Sequence, residues 1–311
     1  MINVLILGAN GFIGSNLYRY LLSQGNCKIT LFSRHFSEDI KLLAKLHNNK
    51  IIEGQFQDYD LLKSALHSQD LVYHLISETY PATSWNQPIW EVENNLLPTL
   101  RFLDIAANQD VKKIAFISSG GTIYGNHDNR VDENHHTKPY IPHGIIKLCI
   151  EYFLNYQNTK TNTAYDIYRI SNPYGPSQNK NGLGVISNWL RNIKNNNEIL
   201  IFGDGNNIRD YIYIDDTVKL ISWSTIKDLS HSDIYNVSSG TSTSLNELVN
   251  IISDTLNQKL RVKYLPQRKS DCPYSVLDNN KIMKFFPNHN MVSLSEGIRK
   301  TWLSINDTLF K

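Results

Sequence analysis

Short apolar runs recur along the first half of the chain, at residues 4–7, 29–32, 71–75, 114–117 and 164–170. Between most of them, apolar residues return every three or four positions. Runs apolar on both faces suit strands of a parallel sheet covered on both sides, and the intervening period is that of amphipathic helices. This alternation predicts an α/β fold with a doubly wound parallel sheet. From about Asn172 onward the rhythm loosens into loops and helices. There Ser244-Leu245-Asn246-Glu247 has the spacing of a capping box and predicts a late helix. Internal repeats and low-complexity tracts are absent, and Asn195-Asn196-Asn197 reads as a surface turn.

Between the first apolar run and the first helical stretch stands Gly8-Ala9-Asn10-Gly11-Phe12-Ile13-Gly14. Gly8 permits a tight turn, Gly11 removes a Cβ that would block a pyrophosphate, and Gly14 lets the helix pack closely on the strand. The helix N-terminus then faces negative charge. Gly8, Asn10, Gly11, Phe12, Ile13 and Gly14 are therefore candidate cofactor-binding residues in a Rossmann-type domain. The expected division is a dinucleotide-binding domain over residues 1–171 and a smaller, mainly substrate-binding α/β lobe over 172–311, interleaved with the last strands of the sheet.

With 31 Lys and Arg against 29 Asp and Glu, the formal net charge is +2. That near-balance gives no electrostatic reason to expect nucleic acid or an anionic membrane as partner. Cys27, Cys149 and Cys272 are widely separated and odd in number, which fits neither a disulfide framework nor a metal site. His135-His136 reads as a solvated loop, His74 as a packed histidine, and no metal is expected. No secretory leader pattern precedes the first strand, and no apolar run reaches membrane-spanning length, so a soluble cytoplasmic protein is expected.

At the end of the second run, Ser33-Arg34 stands where NAD-specific proteins commonly carry an acid for the ribose 2′-hydroxyl. A hydroxyl beside a guanidinium would suit a 2′-phosphate, so both NAD and NADP stay open as cofactors. Ser118-Ser119-Gly120-Gly121-Thr122-Ile123-Tyr124-Gly125 follows the fourth run, at the carboxyl edge where open α/β sheets bind ligands.

These motifs are joined, in order, by Asn95, by Lys147 in Gly144-Ile145-Ile146-Lys147-Leu148, and by Arg169-Ile170-Ser171-Asn172-Pro173-Tyr174-Gly175-Pro176. Gly203-Asp204-Gly205, Arg209-Asp210-Tyr211-Ile212-Tyr213 and Tyr235-Asn236-Val237 complete the set. As an ordered set they resemble the extended short-chain dehydrogenase/reductase superfamily and, more narrowly, its NAD-dependent nucleotide-sugar epimerases and dehydratases, UDP-glucose 4-epimerases among them, over nearly the whole chain.

The resemblance implies hydride transfer between a sugar carbon and a nicotinamide, with a tyrosine as base and a lysine four residues later. Here His143 stands four residues before Lys147, and a glycine, Gly120, occupies the usual Ser or Thr position, leaving Ser119 or Thr122 as donor. Three readings of His143 are open. It is a working base, the mark of a chain that binds cofactor and sugar nucleotide but catalyses poorly, or a replacement made to disable the enzyme.

The resemblance further implies cofactor contacts at Gln55, Phe56, Leu75, Ile76, Asn95, Lys147 and Tyr174. It implies substrate contacts at Thr122, Asn172, Arg209, Arg268 and Ser275, the small Ser275 leaving room for an acetamido group. The implied activity is 4-epimerisation of a UDP-hexose or UDP-N-acetylhexosamine through a 4-keto intermediate. NADPH-dependent reduction of a nucleotide 4-keto-6-deoxyhexose is the enzymatic alternative. A homodimer joined through two helices per subunit and a place in polysaccharide precursor synthesis are implied as well.

Overall fold

The computed structural model describes residues 1–178 and 184–306, with Ala82 described by its backbone only. Six strands run through the first half: β1 (Ile2–Leu7), β2 (Cys27–Ser33), β3 (Lys50–Glu53), β4 (Leu71–His74), β5 (Lys113–Ser119) and β6 (Ala164–Ile170). With a late strand, Asp233–Val237, they form a seven-stranded sheet in the order Asp233–Val237, β6, β5, β4, β1, β2, β3. The pairs β1–β2, β1–β4, β2–β3 and β4–β5 are parallel. Strand order reverses at β1, so the carboxyl edge between β1 and β4 is where this architecture opens a ligand crevice.

Val4, Leu5, Ile6 and Leu7 are fully buried, as a central strand covered on both faces requires. The helices Phe12–Gln24 (α1), Glu38–Leu46 (α2) and Tyr59–Leu66 (α3) connect the first strands. Against one face pack Phe32, Phe56, Phe102, Phe116 and Ile150, the last from a 20-residue helix, Pro142–Thr161.

The chain divides into two compact units, each built from three stretches of sequence. The first comprises Met1–Ile123, Pro139–Arg169 and Val218–Tyr235; the second comprises Tyr124–Lys138, Ile170–Thr217 and Asn236–Lys311. In the second unit, strand Asn172–Tyr174 pairs in parallel with Tyr211–Tyr213, and Ile199–Phe202 with Val262–Leu265. Its helix Leu245–Leu256 begins as the capping box requires. The Ser244 hydroxyl accepts the Glu247 N–H at 3.1 Å, and the Glu247 carboxylate accepts the Ser244 N–H at 2.7 Å. Among the described residues, no helix is long and apolar enough to cross a membrane.

Candidate active site

The 8–14 loop has the geometry its glycines predict. Gly8 has φ +86°, and its N–H and that of Ala9 both donate to the Phe32 carbonyl. A Cβ on Gly14 would lie 2.2 Å from the Gly8 carbonyl oxygen, so α1 approaches β1 only because that atom is missing. Gly11 caps α1 without any side-chain hydrogen bond, leaving the first N–H groups of Phe12 and Ile13 for an anion. This cradle, which a Cβ would fill, fits the pyrophosphate of a dinucleotide. Leu75 follows β4, its N–H donating to the Leu7 carbonyl, and Ile76 packs its side chain on Gly8.

Several side chains of the expected cofactor set have protein partners. Asn10 accepts from the Ser37 N–H and hydroxyl, tying the loop to the start of α2. The Phe56 ring lies in the core, 5.3 Å from His74 and 6.0 Å from Phe102, where an aromatic side chain buries a large apolar area. Gln55 beside it is exposed. Ser33 ends β2, and half-exposed Arg34 pairs with Glu78 at 3.1 Å. His74 is buried among rings, donates to or accepts from Thr99 Oγ1 at 3.0 Å, and is held neutral by burial first and the Lys147 charge second, with its pKa pushed down to about 3.

His143 and Lys147 lie one turn apart on helix Pro142–Thr161, both buried, so the i, i+4 spacing stacks them on one face. Burial lowers the Lys147 pKa to about 8 against the opposing pull of Glu91 and Glu151, and its ammonium donates to the Ile117 carbonyl at 2.9 Å. The His143 N–H donates to Ser84 Oγ at 2.7 Å. Burial lowers the imidazole's pKa, Glu91 opposes that, and Lys147 adds to it.

Thr122 lies on the short helix Gly120–Ile123, 8% exposed, its hydroxyl reaching the Ser119 carbonyl at 3.5 Å. That helix touches the start of the long one so closely that a Cβ on Gly144 would lie 2.7 Å from the Thr122 carbonyl. His143, Lys147, Thr122 and Ser119 therefore all belong to the first unit, at the carboxyl end of β5.

Glu91 was not foreseen. It is 1% exposed and accepts the Thr79 hydroxyl at 2.5 Å and the Asn95 amide at 2.7 Å. Its Oε1 lies 3.7 Å from His143 Nδ1. Burial drives the carboxyl pKa up, but the neighbouring His143 imidazole and hydrogen bonds from Thr79 and Ser84 together outweigh it and hold the group at about 2. Asn95 sits in a π-helical turn, Val92–Leu96, and its side-chain Oδ1 accepts the Glu78 N–H. Pro98, which has no N–H to donate, follows that widened turn. All the side-chain groups of Asn95 thus hold the segment after β4 in place.

In the second unit, Asn172, Tyr174, Arg209, Tyr211, Arg268 and Asp271 line a cavity of about 210 Å³. The Arg268 guanidinium stacks 3.3 Å from the Phe202 ring centroid, and Arg209 donates to the Ile208 carbonyl. Ser275 pairs in register with Arg209 and is buried; its hydroxyl and that of Tyr211 have no hydrogen-bond partner among the described residues. Asn172 donates to the Asp210 carbonyl. The Tyr174 hydroxyl donates to the Leu294 carbonyl and its ring packs on Tyr213, because the glycine at 297 lets helix Leu294–Asn306 close on it. Among the described residues no cluster of three metal-type ligands occurs.

Comparison with known proteins gives consistent results. The model of the NAD dependent epimerase/dehydratase family matches residues 4–238. A dTDP-4-dehydro-6-deoxyglucose reductase of Escherichia coli is 30% identical over 97% of this chain and 97% of its own length. The structure of a UDP-glucose 4-epimerase with UDP-glucose from Thermotoga maritima superposes with a TM-score of 0.90 at 28% identity, covering 99% of this chain and 100% of that one. A UDP-N-acetylglucosamine 4-epimerase from Methanobrevibacter ruminantium, in complex with UDP-N-acetylmuramic acid, gives 0.87 at 28% identity, covering 98% of each chain.

Proposed function

This chain belongs to the NAD dependent epimerase/dehydratase family, and within it we propose a 4-epimerase of a UDP-hexose or UDP-N-acetylhexosamine in which His143 is the base. The observation that carries this reading is the buried His143–Lys147 pair, one helical turn apart, in the same unit as the glycine cradle. The cofactor is NAD, held by the backbone N–H groups of Phe12 and Ile13 above the glycine cradle. When bound, it supplies a hydride acceptor and donor.

The chain's own residues manage the proton. His143 stays neutral near pH 7 because burial and the Lys147 ammonium disfavour imidazolium. It accepts the proton of the sugar 4-hydroxyl and returns it when the 4-keto group is reduced on the other face. Lys147 keeps a positive charge near the base and binds the ribose, and Thr122 or Ser119 donates to the sugar oxygen. Arg209 and Arg268 bind the diphosphate, and the unpartnered hydroxyls of Tyr211 and Ser275 give the second unit polar groups for the nucleotide sugar.

The test is turnover of the chain and of His143→Tyr on UDP-glucose, UDP-galactose and their N-acetyl counterparts, with epimer ratios read by chromatography. Turnover by the unmodified chain supports His143 as base. Turnover only in the tyrosine variant, or in neither, sinks it.

A second reading, a nucleotide 4-keto-6-deoxyhexose reductase using NADPH, is favoured by half-exposed Arg34 and by the E. coli relative. Against the phosphate-binding role, Arg34 already has Glu78 as a partner. An epimerase retains its cofactor through turnover while a reductase must exchange it, so stoichiometric consumption of NADPH would favour the reductase.

The active form is a homodimer. Ile145, Tyr152, Phe153 and Tyr156 project, exposed, from one side of helix Pro142–Thr161, and Leu97 is exposed on helix Leu97–Ala107. An apolar stripe of this kind is what a helix-to-helix interface buries.

A further inference from the structure

We propose that Glu91 positions the base: its carboxylate holds the His143 imidazole with the proton on Nδ1, leaving Nε2 free to accept the substrate's hydroxyl proton. The proposal rests on the reading of His143 as base given above.

A glutamate is almost never fully buried without a partner, and the groups that hold Glu91 from behind are neutral. Thr79 occupies Oε1, Asn95 occupies Oε2, and Ser84 bridges Glu91 to the backbone N–H of His143. The charge of the carboxylate is therefore not spent on another cation in direct contact. Its orientation is fixed, and the edge that carries Oε1 is turned to Nδ1 at 3.7 Å. That separation exceeds a hydrogen bond, and catalytic contacts in unliganded sites are often long and tighten when the substrate complex forms.

Other charges around the imidazole are few. Lys147 and Glu151 lie on its own helix, Glu151 paired with Arg169. The packed segments Pro81–Ser84 and Gly120–Ile123 bring Ser84 and Thr122 but no ionisable group, Glu93 on the π turn and Arg101 and Asp104 on helix Leu97–Ala107 are exposed, and Lys113 of β5 is paired with Asp166.

Imidazole needs such a partner where phenol does not. A phenol has one reactive atom, whereas an imidazole has two, and the wrong tautomer presents an N–H where an acceptor is required. A carboxylate at Nδ1 selects the tautomer. It also stabilises the imidazolium formed when the proton arrives, offsetting repulsion from Lys147.

The test uses the full chain with ¹⁵N-labelled histidine, His143 being assigned by the resonance lost in His143→Tyr. His143 should be Nδ1-protonated, and Glu91→Gln should lower its titration midpoint by about one pH unit or more and weaken the tautomer preference. In turnover of the preferred UDP-sugar, Glu91→Gln should lower kcat roughly 10- to 100-fold with KM little changed, and move the acidic limb of the profile to lower pH. In the His143→Tyr background the same change should cost much less. Glu91→Asp keeps the charge and should recover part of the titration shift, which covers the case in which the amide variant does not fold.

An unchanged His143 titration and tautomer, or equal losses of kcat in both backgrounds, would overturn the proposal and leave Glu91 as a brace for Thr79 and Asn95. If no UDP-sugar is turned over, the epimerase reading falls, and the titration alone still decides for or against the Glu91–His143 coupling.

Discussion

Lys147 and Glu91 are both displaced below their ordinary pKa values, and the two displacements act on stability with opposite sign. Lysine ordinarily holds its proton to about pH 10.4, whereas folded Lys147 releases it at about 8. Between those values the unfolded chain binds more protons, so stability rises with pH there. The cost of burying the charge is complete below pH 8 and relieved above about 10.4. Lys147→Met should therefore stabilise the protein by about 2 kcal/mol at pH 7, the linkage value of roughly 3 less about 1 for the lost bond to Ile117. Melting temperatures across pH 7–10.5 should show that gain shrinking, while turnover is lost. Glu91 runs the other way. Its stabilisation is present above about pH 4.3 and is lost as pH falls through about 2. Thermal melts of Glu91→Gln should accordingly lose less stability than the parent between pH 5 and 2. His143 and Lys147 were legible from their spacing. Glu91 was not, because a glutamate between Trp90 and Val92-Glu93-Asn94 reads as solvated, and its burial is decided by a helix more than 50 positions later.

Helices and strands carry the close approaches on which those side chains depend. A Cβ at Gly14 would meet the Gly8 carbonyl, and one at Gly144 the Thr122 carbonyl, each closer than real Cβ contacts allow. Gly14→Ala and Gly144→Ala should each cost about 1–3 kcal/mol by forcing backbone apart. The first should also abolish NAD binding by calorimetry, and the second should lower kcat by moving Thr122 from the base. Gly25→Ala, at φ +64° with open space around it, is the control. It should cost about 1 kcal/mol and leave binding intact. The central strands were readable because burial on both faces writes an unbroken apolar run. β3, Lys50-Ile51-Ile52-Glu53, is too short and too charged at its ends to announce itself. The π turn was invisible because its cause, a proline and a hydrogen-bonded asparagine, is local geometry without periodicity.

For the whole molecule, the proposed function gives the two units separate roles, and each can be tested separately. Arg268→Ala, in the second unit, should raise KM for the UDP-sugar roughly 10- to 100-fold with kcat little changed, as loss of a charge-assisted contact made equally throughout the reaction would. Sedimentation should find a dimer, and Tyr152→Glu with Tyr156→Glu should convert it to monomer by placing charge in the exposed apolar stripe. Patterning could not foresee that residues 124–138 leave the first unit.

That interleaving matters during synthesis. As the chain leaves the ribosome, β6 is complete at Ile170, yet the strand that covers its outer edge, Asp233–Val237, follows only after the whole of Ile170–Thr217. For that interval the nascent sheet ends in an open row of backbone donors and acceptors, the feature through which half-made sheets pair with their neighbours. Translational pausing inside that stretch would lengthen the exposure, and no single cut in the gene would leave both units complete in its two products.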